Sequence, residues 1–176
     1  KEILKKLPNQ NHEFLEGDVP YTLNPGGPNH EELSCLVGVY EYFNNLFEHH
    51  FPGEDSSVRE KINKINELIA NHEKDIANPL LDYLNSRSDI RLIGKKTISD
   101  KDRAPTIAFT MNNKPSKDLS SELVKHGIAT RNDNFYAWRC LIALGIDVDD
   151  GVVRTSMVHY NSHEDVSKLI SALKQI

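Results

Sequence analysis

Three groups of polar residues stand at the ends of predicted elements and could carry chemistry. They are the turn from Asn24 to Asn29, the segment from Arg131 to Tyr136, and Arg154 within a predicted strand. An arginine in an otherwise apolar strand needs an anionic partner, and its planar guanidinium suits a carboxylate. Arg154 therefore predicts either a bound carboxylate or an internal ion pair with Asp or Glu.

The turn at 24–29 contains Gly26 and Gly27 directly before a predicted helix. Free backbone N–H groups at such a position can bind an anion. Glu31 and Glu32 follow in the first helical turn and would repel one. The turn is therefore open to two interpretations, an anion site or only the start of a helix.

Other familiar motifs are missing. The sequence contains no GxGxxG after a strand and no GxxxxGK[ST], the glycine-rich signals of nucleotide binding. The segment from Asp147 to Gly151 resembles the start of a calcium loop but lacks the Gly and Glu that such a loop needs at its sixth and twelfth positions. The histidines form no HExxH pattern. We predict no metal site.

Charge and hydropathy exclude two classes of partner. The 21 basic and 26 acidic residues give a net charge of −5, and the basic residues are scattered, so we expect no nucleic acid. The longest apolar run, Cys140 to Ile146, is too short to cross a bilayer, and the first residues lack a signal-peptide core. We expect a cytoplasmic protein without a membrane partner, in which Cys35 and Cys140 are small buried thiols.

Hydrophobic periodicity predicts that the first half is helical. One helix is expected from the cap Asn29 to His49 and His50. A second should begin near Ser56 or Ser57 and end near Leu84, with Pro79 either kinking it or restarting it after Asn78 as cap. The preceding residues, up to Pro28, read as irregular, with at most a short strand at 21–23.

After residue 86 the period changes. Strands at 90–93 and 105–111 should pair antiparallel, followed by a helix capped by Ser116, a strand at 128–130, a helix at 135–144, a strand at 151–160 and a last helix capped by Ser162. The predicted fold class is α/β (α+β), long helices followed by a small, mainly antiparallel sheet covered by helices. We predict two domains, residues 1–86 and 87–176.

Several segments, in this order, resemble a known family. They are GGPN opening a helix, a long helix, a small α/β unit, ATRNDNFYA at 129–137, and VRTSMVHYNSHEDV at 153–166. This order resembles the C-terminal part, roughly the last two-fifths, of class V aminotransferase-type enzymes. It is most similar to the cysteine desulfurase-like branch of the fold-type I enzymes, which use pyridoxal phosphate (PLP). The resemblance covers nearly the whole chain and is most specific at 153–166.

The resemblance implies site residues one by one. Arg154 matches the arginine that binds the α-carboxylate of the amino-acid substrate, and Asn134 and Tyr136 would contact substrate beside it. Gly26, Gly27 and Asn29 match a GTPN turn that reaches the cofactor phosphate of a neighbouring subunit, although Gly27 replaces the threonine. Two alterations concern catalysis. Tyr136 occupies the place of the desulfurase nucleophilic cysteine, and Cys140 lies a helical turn further on, so persulfide formation is not expected.

The resemblance also implies what lies outside this chain. In this family the PLP lysine, the aspartate at the pyridine nitrogen and the stacking aromatic all precede the position of Lys1. We therefore expect no catalytic residue in this chain, an inactive chain on its own, and a parent enzyme, a PLP-dependent lyase or transferase. The parent would have an N-terminal cofactor domain and form a homodimer. The alternative is a non-catalytic α/β interaction module in which Arg154 makes a structural ion pair.

Overall fold

The computed structural model describes residues 2–24, 26–99 and 102–176, so Pro25 of the predicted anion turn lies outside it. The chain divides into two compact units, Lys1–Ile65 and Asn66–Ile176. These units are defined by packing, whereas the boundary predicted at residue 86 marks a change from helices to strands. The division into domains at residue 86 stays a prediction.

The first unit begins with three short 3-10 turns and continues into a long helix. The turns are Leu4–Lys6, Glu13–Leu15 and Val19–Tyr21, so the short strand expected at 21–23 is wrong. Helix α1 spans His30–His50, and the Asn29 side chain accepts a hydrogen bond from the Glu32 N–H at 3.1 Å. This cap confirms the predicted start of the helix, because it satisfies a backbone donor that has no partner inside the helix.

Helix α1 carries its apolar residues on a largely exposed face. Phe47 is fully buried and stacks on Phe51 with ring centroids 5.1 Å apart. The residues N-terminal to it on the predicted stripe are all about half exposed or more: Leu33, Leu36, Val37 and Tyr40. An apolar stripe of this kind is typical of a surface that another element or chain covers.

Helix α2 spans Val58–Ser86. Its residues up to 65 are counted with the first unit and the rest with the second. Pro79 lies inside the helix, so the predicted restart with Asn78 as cap is wrong. Asn78 instead binds the backbone of Ile98, accepting its N–H at 2.9 Å and donating to its carbonyl at 3.2 Å. Asn78 thus links the C-terminal part of α2 by hydrogen bonds to the loop between the first two strands, in which Ile98 lies.

The second unit is built on a four-stranded antiparallel sheet. Its strands are β1 (Ile90–Ile93), β2 (Thr106–Met111), β3 (Arg131–Asp133) and β4 (Val152–Ser156), in the spatial order β1-β2-β4-β3. Its other helices are α3 (Ser116–Lys125), α4 (Trp138–Ala143) and α5 (His163–Gln175). The element order β-β-α-β-α-β-α is the one predicted, and the fold class is confirmed.

Four details of this unit differ from the sequence prediction. The helix expected at 135–144 begins only at Trp138, because Phe135 and Tyr136 have positive φ angles, and the strand expected at 151–160 is shorter, at Val152–Ser156. Ser116 is the first residue of α3 and not its cap; its N–H donates to the Asp150 carboxylate at 2.7 Å, and its hydroxyl donates to the Asp150 carbonyl. The third strand lies three residues later than expected, at Arg131–Asp133 in place of 128–130. Arg131–Asp133 is polar, whereas the preceding residues 128–130 include β-branched side chains that favour strands. Propensity therefore placed the predicted strand too early.

One face of the sheet packs against helices to form the core. Fully buried side chains of α2, β2, β4, α3 and α5 meet there, among them Leu80, Leu84, Phe109, Leu123, Val153 and Leu173. Helix α5 begins with a reciprocal capping box between Ser162 and Asp165, as predicted. The Ser162 N–H, donating to the Asp165 carboxylate, holds the pKa of that carboxyl below its ordinary value.

Two further findings concern exposure. Cys35 and Cys140 are both free and exposed, so the prediction of buried thiols is wrong. Among residues 2–24, 26–99 and 102–176, no helix combines the length and hydropathy required to cross a membrane.

Asn78→Ala should lower the free energy of unfolding by about 1–3 kcal/mol, because it leaves the N–H and C=O of Ile98 without their partner. Asn66→Ala is the matched control, because Asn66 is an exposed asparagine of the same helix and lies in the same unit. Urea unfolding followed by circular dichroism measures both. Equal stabilities of the two variants would contradict the role of Asn78.

Candidate functional site

The candidate site is built around Arg154 on the central strand β4. Val153 is fully buried in the core, and because side chains alternate along a strand, Arg154 lies on the opposite face of the sheet. Arg154 is half-buried and stands in register between Ala108 of β2 and Arg131 of β3. The strand register therefore fixes the backbone position from which the Arg154 side chain extends.

The Arg154 guanidinium lies over an aromatic ring. Its Cζ atom lies 4.2 Å from the centroid of the Phe135 ring, which is close enough for a cation–π interaction. Within the described ranges of the chain, Arg154 makes no hydrogen bond or ion pair through its guanidinium. The internal Asp or Glu partner that the sequence left open is not found among these residues, and the donors of Arg154 remain available.

The segment that supplies Phe135 has an unusual backbone. Phe135 and Tyr136 have φ angles of 51° and 60°, in the left-handed region that residues with a Cβ rarely occupy. Asn134 stabilises this conformation: its Oδ1 accepts the Tyr136 N–H at 3.0 Å, and its Nδ2 donates to the Val148 carbonyl at 3.3 Å. Consecutive strained residues of this kind are found where a loop must present side chains to a ligand.

Gly151 packs directly against this segment. It has a φ of 70°, and a Cβ at this position would overlap the Asp133 carbonyl group and lie 2.7 Å from the Asn134 nitrogen. Only glycine allows the start of β4 to approach β3 so closely. Gly151 thus holds the strained segment in place beside Arg154, a role that the sequence analysis did not assign.

Of the other predicted substrate residues, Asn134 lies at the site and uses its amide to support the backbone, while the Tyr136 side chain is fully exposed. Their contacts with substrate stay predictions. Cys140, on α4, is exposed as well. The sequence analysis missed Phe135 as the ring under Arg154, and the signal available was the aromatic pair that follows the polar residues 131–134.

Arg131 is a further residue whose position the sequence did not predict. It lies on the edge strand β3 directly opposite Arg154, so the two side chains share one face of the sheet. Arg131 is exposed. The strand predicted at 128–130 placed Arg131 in a loop, and this pairing was therefore not visible.

The predicted cofactor-binding turn belongs to the unit Lys1–Ile65. Asn29 uses its Oδ1 to cap α1, while its Nδ2 and the N–H groups of Gly26 and Gly27 have no hydrogen-bond partner in the described part of the chain. A Cβ on either glycine would meet nothing within 4 Å, so a ligand group could approach them. These N–H donors suit hydrogen bonds to one side of the PLP phosphate, although Glu31 and Glu32 in the next helical turn would repel it. They do not form a complete cofactor pocket.

A model of the class-V aminotransferase family matches residues 60–169. This segment covers more than half of the chain and includes the whole sheet with Arg154. The chain belongs to the class-V aminotransferase family.

Two curated relatives illustrate this membership. The aminotransferase-like protein FGM3 of Gibberella zeae is 35% identical over 113 residues, which are 62% of this chain and 28% of that protein. A cysteine desulfurase of Shigella flexneri is 29% identical over 108 residues, covering 61% of this chain and 25% of the relative. The chain thus spans about a quarter of the length of the relatives that it matches.

Solved structures show the same fold. A cysteine desulfurase from Escherichia coli, CsdA, matches 99% of this chain and 40% of its own with a TM-score of 0.66 and 22% identity. An apo cysteine desulfurase from Thermococcus onnurineus NA1 matches 67% of this chain and 28% of its own, with a TM-score of 0.58 and 22% identity. The predicted cysteine desulfurase-like, fold-type I resemblance is confirmed, and partial coverage fits a C-terminal part.

Gly151→Ala should lower the free energy of unfolding by about 3 kcal/mol or more, because the new methyl group overlaps backbone atoms in addition to straining a positive φ. Gly145→Ala is the matched control: its φ is 66°, and a Cβ there would meet nothing within 4 Å. It should cost only the strain, about 1–2 kcal/mol. Denaturant unfolding of both variants measures the difference, and equal losses would show that the close approach at Gly151 has no energetic consequence.

Proposed function

We propose that the whole protein containing this chain is a PLP-dependent lyase or transferase that acts on an amino acid. In this proposal Arg154 binds the α-carboxylate of the substrate. The observation that carries the proposal is the half-buried Arg154, whose guanidinium lies over the Phe135 ring and has no acidic partner in the described ranges. Family membership supports the reaction class.

The contact with Phe135 prepares the guanidinium for a carboxylate. Contact with the Phe135 ring removes water from part of the guanidinium and limits its movement, while its N–H donors have no partner in the described ranges. A carboxylate can then accept two parallel hydrogen bonds, an arrangement that also fixes its orientation. Binding the substrate in one orientation is the contribution that Arg154 would make to catalysis.

Neighbouring residues would complete the binding of substrate and cofactor. Asn134 would hold Phe135 and Tyr136 in their strained conformation, and the exposed Tyr136 would reach towards the substrate. The N–H groups of Gly26 and Gly27 and the Nδ2 of Asn29 would donate to the PLP phosphate. When bound, PLP supplies an electron sink for negative charge at the substrate Cα.

The rest of the enzyme would come from a further domain and a second subunit. The relatives are three to four times longer than the matched region, which supports a separate cofactor domain in the whole protein. The exposed apolar stripe on α1, at Leu33, Leu36, Val37 and Tyr40, supports contact with another part of a homodimer. We also propose that the whole protein is cytoplasmic.

The alternative, a non-catalytic interaction module, requires a structural role for Arg154. It predicted an internal ion pair, and the described residues contain none at Arg154. No other observation favours it.

Arg154→Lys in the whole, PLP-loaded protein should weaken amino-acid binding by about 2–4 kcal/mol, because an ammonium cannot make two parallel hydrogen bonds to a carboxylate. Titration with an amino acid, followed by the absorbance of the cofactor, measures the affinity. PLP should stay bound, since Arg154 is not assigned to the cofactor.

Arg91→Lys is the control in the same sheet, because Arg91 donates to the Leu144 carbonyl and not to the proposed site. It should leave the affinity for amino acids unchanged. Loss of thermal stability in Arg154→Lys with unchanged affinity would contradict the proposal and favour a structural arginine.

The 176-residue chain alone should not form a saturable Schiff base with PLP. A lysine needs a lowered pKa to react readily, whereas the hydrogen bond to Glu164 raises the pKa of Lys168. The ammonium groups of six lysines already contact carboxylates: Lys5, Lys61, Lys64, Lys95, Lys125 and Lys168. Borohydride reduction followed by peptide mass spectrometry measures adducts. A single lysine that is labelled saturably at low PLP concentration would contradict this expectation.

A further inference from the structure

A cleft of about 460 Å³ lies within the unit Asn66–Ile176. Its walls are formed by α2, by the loop after β1 and by the residues that precede β2. Helix α2 packs on the core face of the sheet, whereas Arg154 lies on the opposite face, so this cleft is separate from the candidate site. A cavity of this size is large enough for a small organic ligand.

Four charged side chains line the cleft, two of each sign: Glu67, Glu73, Lys74 and Arg103. Glu67 is exposed and the other three are half-buried. None of the four forms an ion pair in the described ranges, although other lysines and arginines of the same unit do. Because withdrawing a charge from water costs free energy, half-buried charges are usually paired. This cleft instead holds cations and anions that do not reach one another.

The two cations of the cleft have carbonyl acceptors but no carboxylate. Within the described part of the chain, the terminal nitrogens of Arg103 donate only to the Ile93 carbonyl, at 3.3 and 3.4 Å, and its buried Nε atom has no acceptor. Gly94 makes room for this guanidinium, since a Cβ there would lie 2.7 Å from one terminal nitrogen. Lys74 donates to the Ser99 carbonyl at 2.8 Å, and its ammonium has two further donors.

Glu73 is the half-buried anion of the cleft. It makes no hydrogen bond among residues 2–24, 26–99 and 102–176. Burial raises the pKa of its carboxyl, and the charges of His159 and His72 offset only part of this effect. A cation placed against this carboxylate would compensate its loss of water.

We propose that this cleft binds a free amino acid in its zwitterionic form, with the carboxylate held by Arg103 and Lys74 and the ammonium held by Glu73. A zwitterion supplies both missing charges at once. An anion without an ammonium would be repelled by Glu73, and an amine without a carboxylate would leave both cations uncompensated. A guanidinium that is already fixed in position suits a planar carboxylate. The inference does not depend on Arg154 or on the proposed function.

The test titrates N,N-dimethylglycine into the whole, PLP-loaded protein by isothermal calorimetry. Its tertiary amine cannot form an imine with PLP, so one binding event per chain should appear while the absorbance of the cofactor stays the same. 3-Methylbutanoate has the same shape without the ammonium, and N,N-dimethylglycinamide lacks the carboxylate. Each of them should bind about tenfold more weakly or worse.

Variants assign the binding to the cleft. Glu73→Gln keeps the size of the side chain and should weaken N,N-dimethylglycine about tenfold, while 3-methylbutanoate binds no more weakly than before. Lys74→Gln should weaken both compounds, and it avoids the packing of Arg103 against Gly94. Asp82→Asn is the matched control, because Asp82 is an exposed carboxylate of α2 outside the cleft, and it should change neither affinity.

Three results would overturn the inference. The first is equal binding of N,N-dimethylglycine by Glu73→Gln and the parent protein, and the second is equal binding of N,N-dimethylglycine and 3-methylbutanoate. The third is loss of N,N-dimethylglycine binding in Arg154→Lys but not in Glu73→Gln, which would place the compound at the candidate site. Unchanged affinity of Arg154→Lys for reactive amino acids, in contrast, contradicts only the proposed function.

A measurement without ligand adds a second line of evidence. At pH 8, where histidines are largely neutral, Glu73→Gln should melt at the same temperature as the parent protein or higher, because it removes an unpaired half-buried charge. A lower melting temperature would show that a cation of the whole protein already pairs with Glu73, and would overturn the inference.

Discussion

The antiparallel pairing of β4 with β2 on one side and β3 on the other determines the position of every residue of the candidate site. Because Val153 must enter the core, where it pairs in register with Phe109, Arg154 has to lie on the opposite face. A shift of one residue would bury the arginine and expose the valine. Hydrophobic packing in the core therefore sets the strand register, and the register determines the position of the Arg154 side chain.

The strained segment after β3 depends on the same pairing. Gly151 precedes β4 and lies against the Asp133 carbonyl, so the start of β4 and the end of β3 approach more closely than any side chain would permit. The chain then has to leave β3 through two residues of positive φ, and this turns the Phe135 ring under Arg154. Strain in the backbone is thus offset by strand pairing, by the Asn134 hydrogen bonds and by the cation–π contact.

Sequence patterns predicted the elements well and their contacts less well. The helix caps Asn29 and Ser162, the order of strands and helices, and the fold class followed from local chemistry, because capping and periodicity are properties of neighbouring residues. The third strand was placed three residues early, since Arg131–Asp133 is polar and its pairing with β4 is non-local. That shift concealed the Arg131–Arg154 pair. The exposure of Cys35 and Cys140 was missed for a similar reason: apolar neighbours in sequence do not decide which face of a helix is covered.

The central claim, that Arg154 binds the α-carboxylate of an amino acid, is tested most directly by a crystal structure of the whole protein with PLP and a substrate amino acid bound. The account predicts two nearly parallel hydrogen bonds of about 2.7–2.9 Å from the Arg154 guanidinium to the α-carboxylate, with the Phe135 ring still against the guanidinium. An Arg154 that pairs with an Asp or Glu of the protein, while the substrate carboxylate is bound elsewhere, would contradict it.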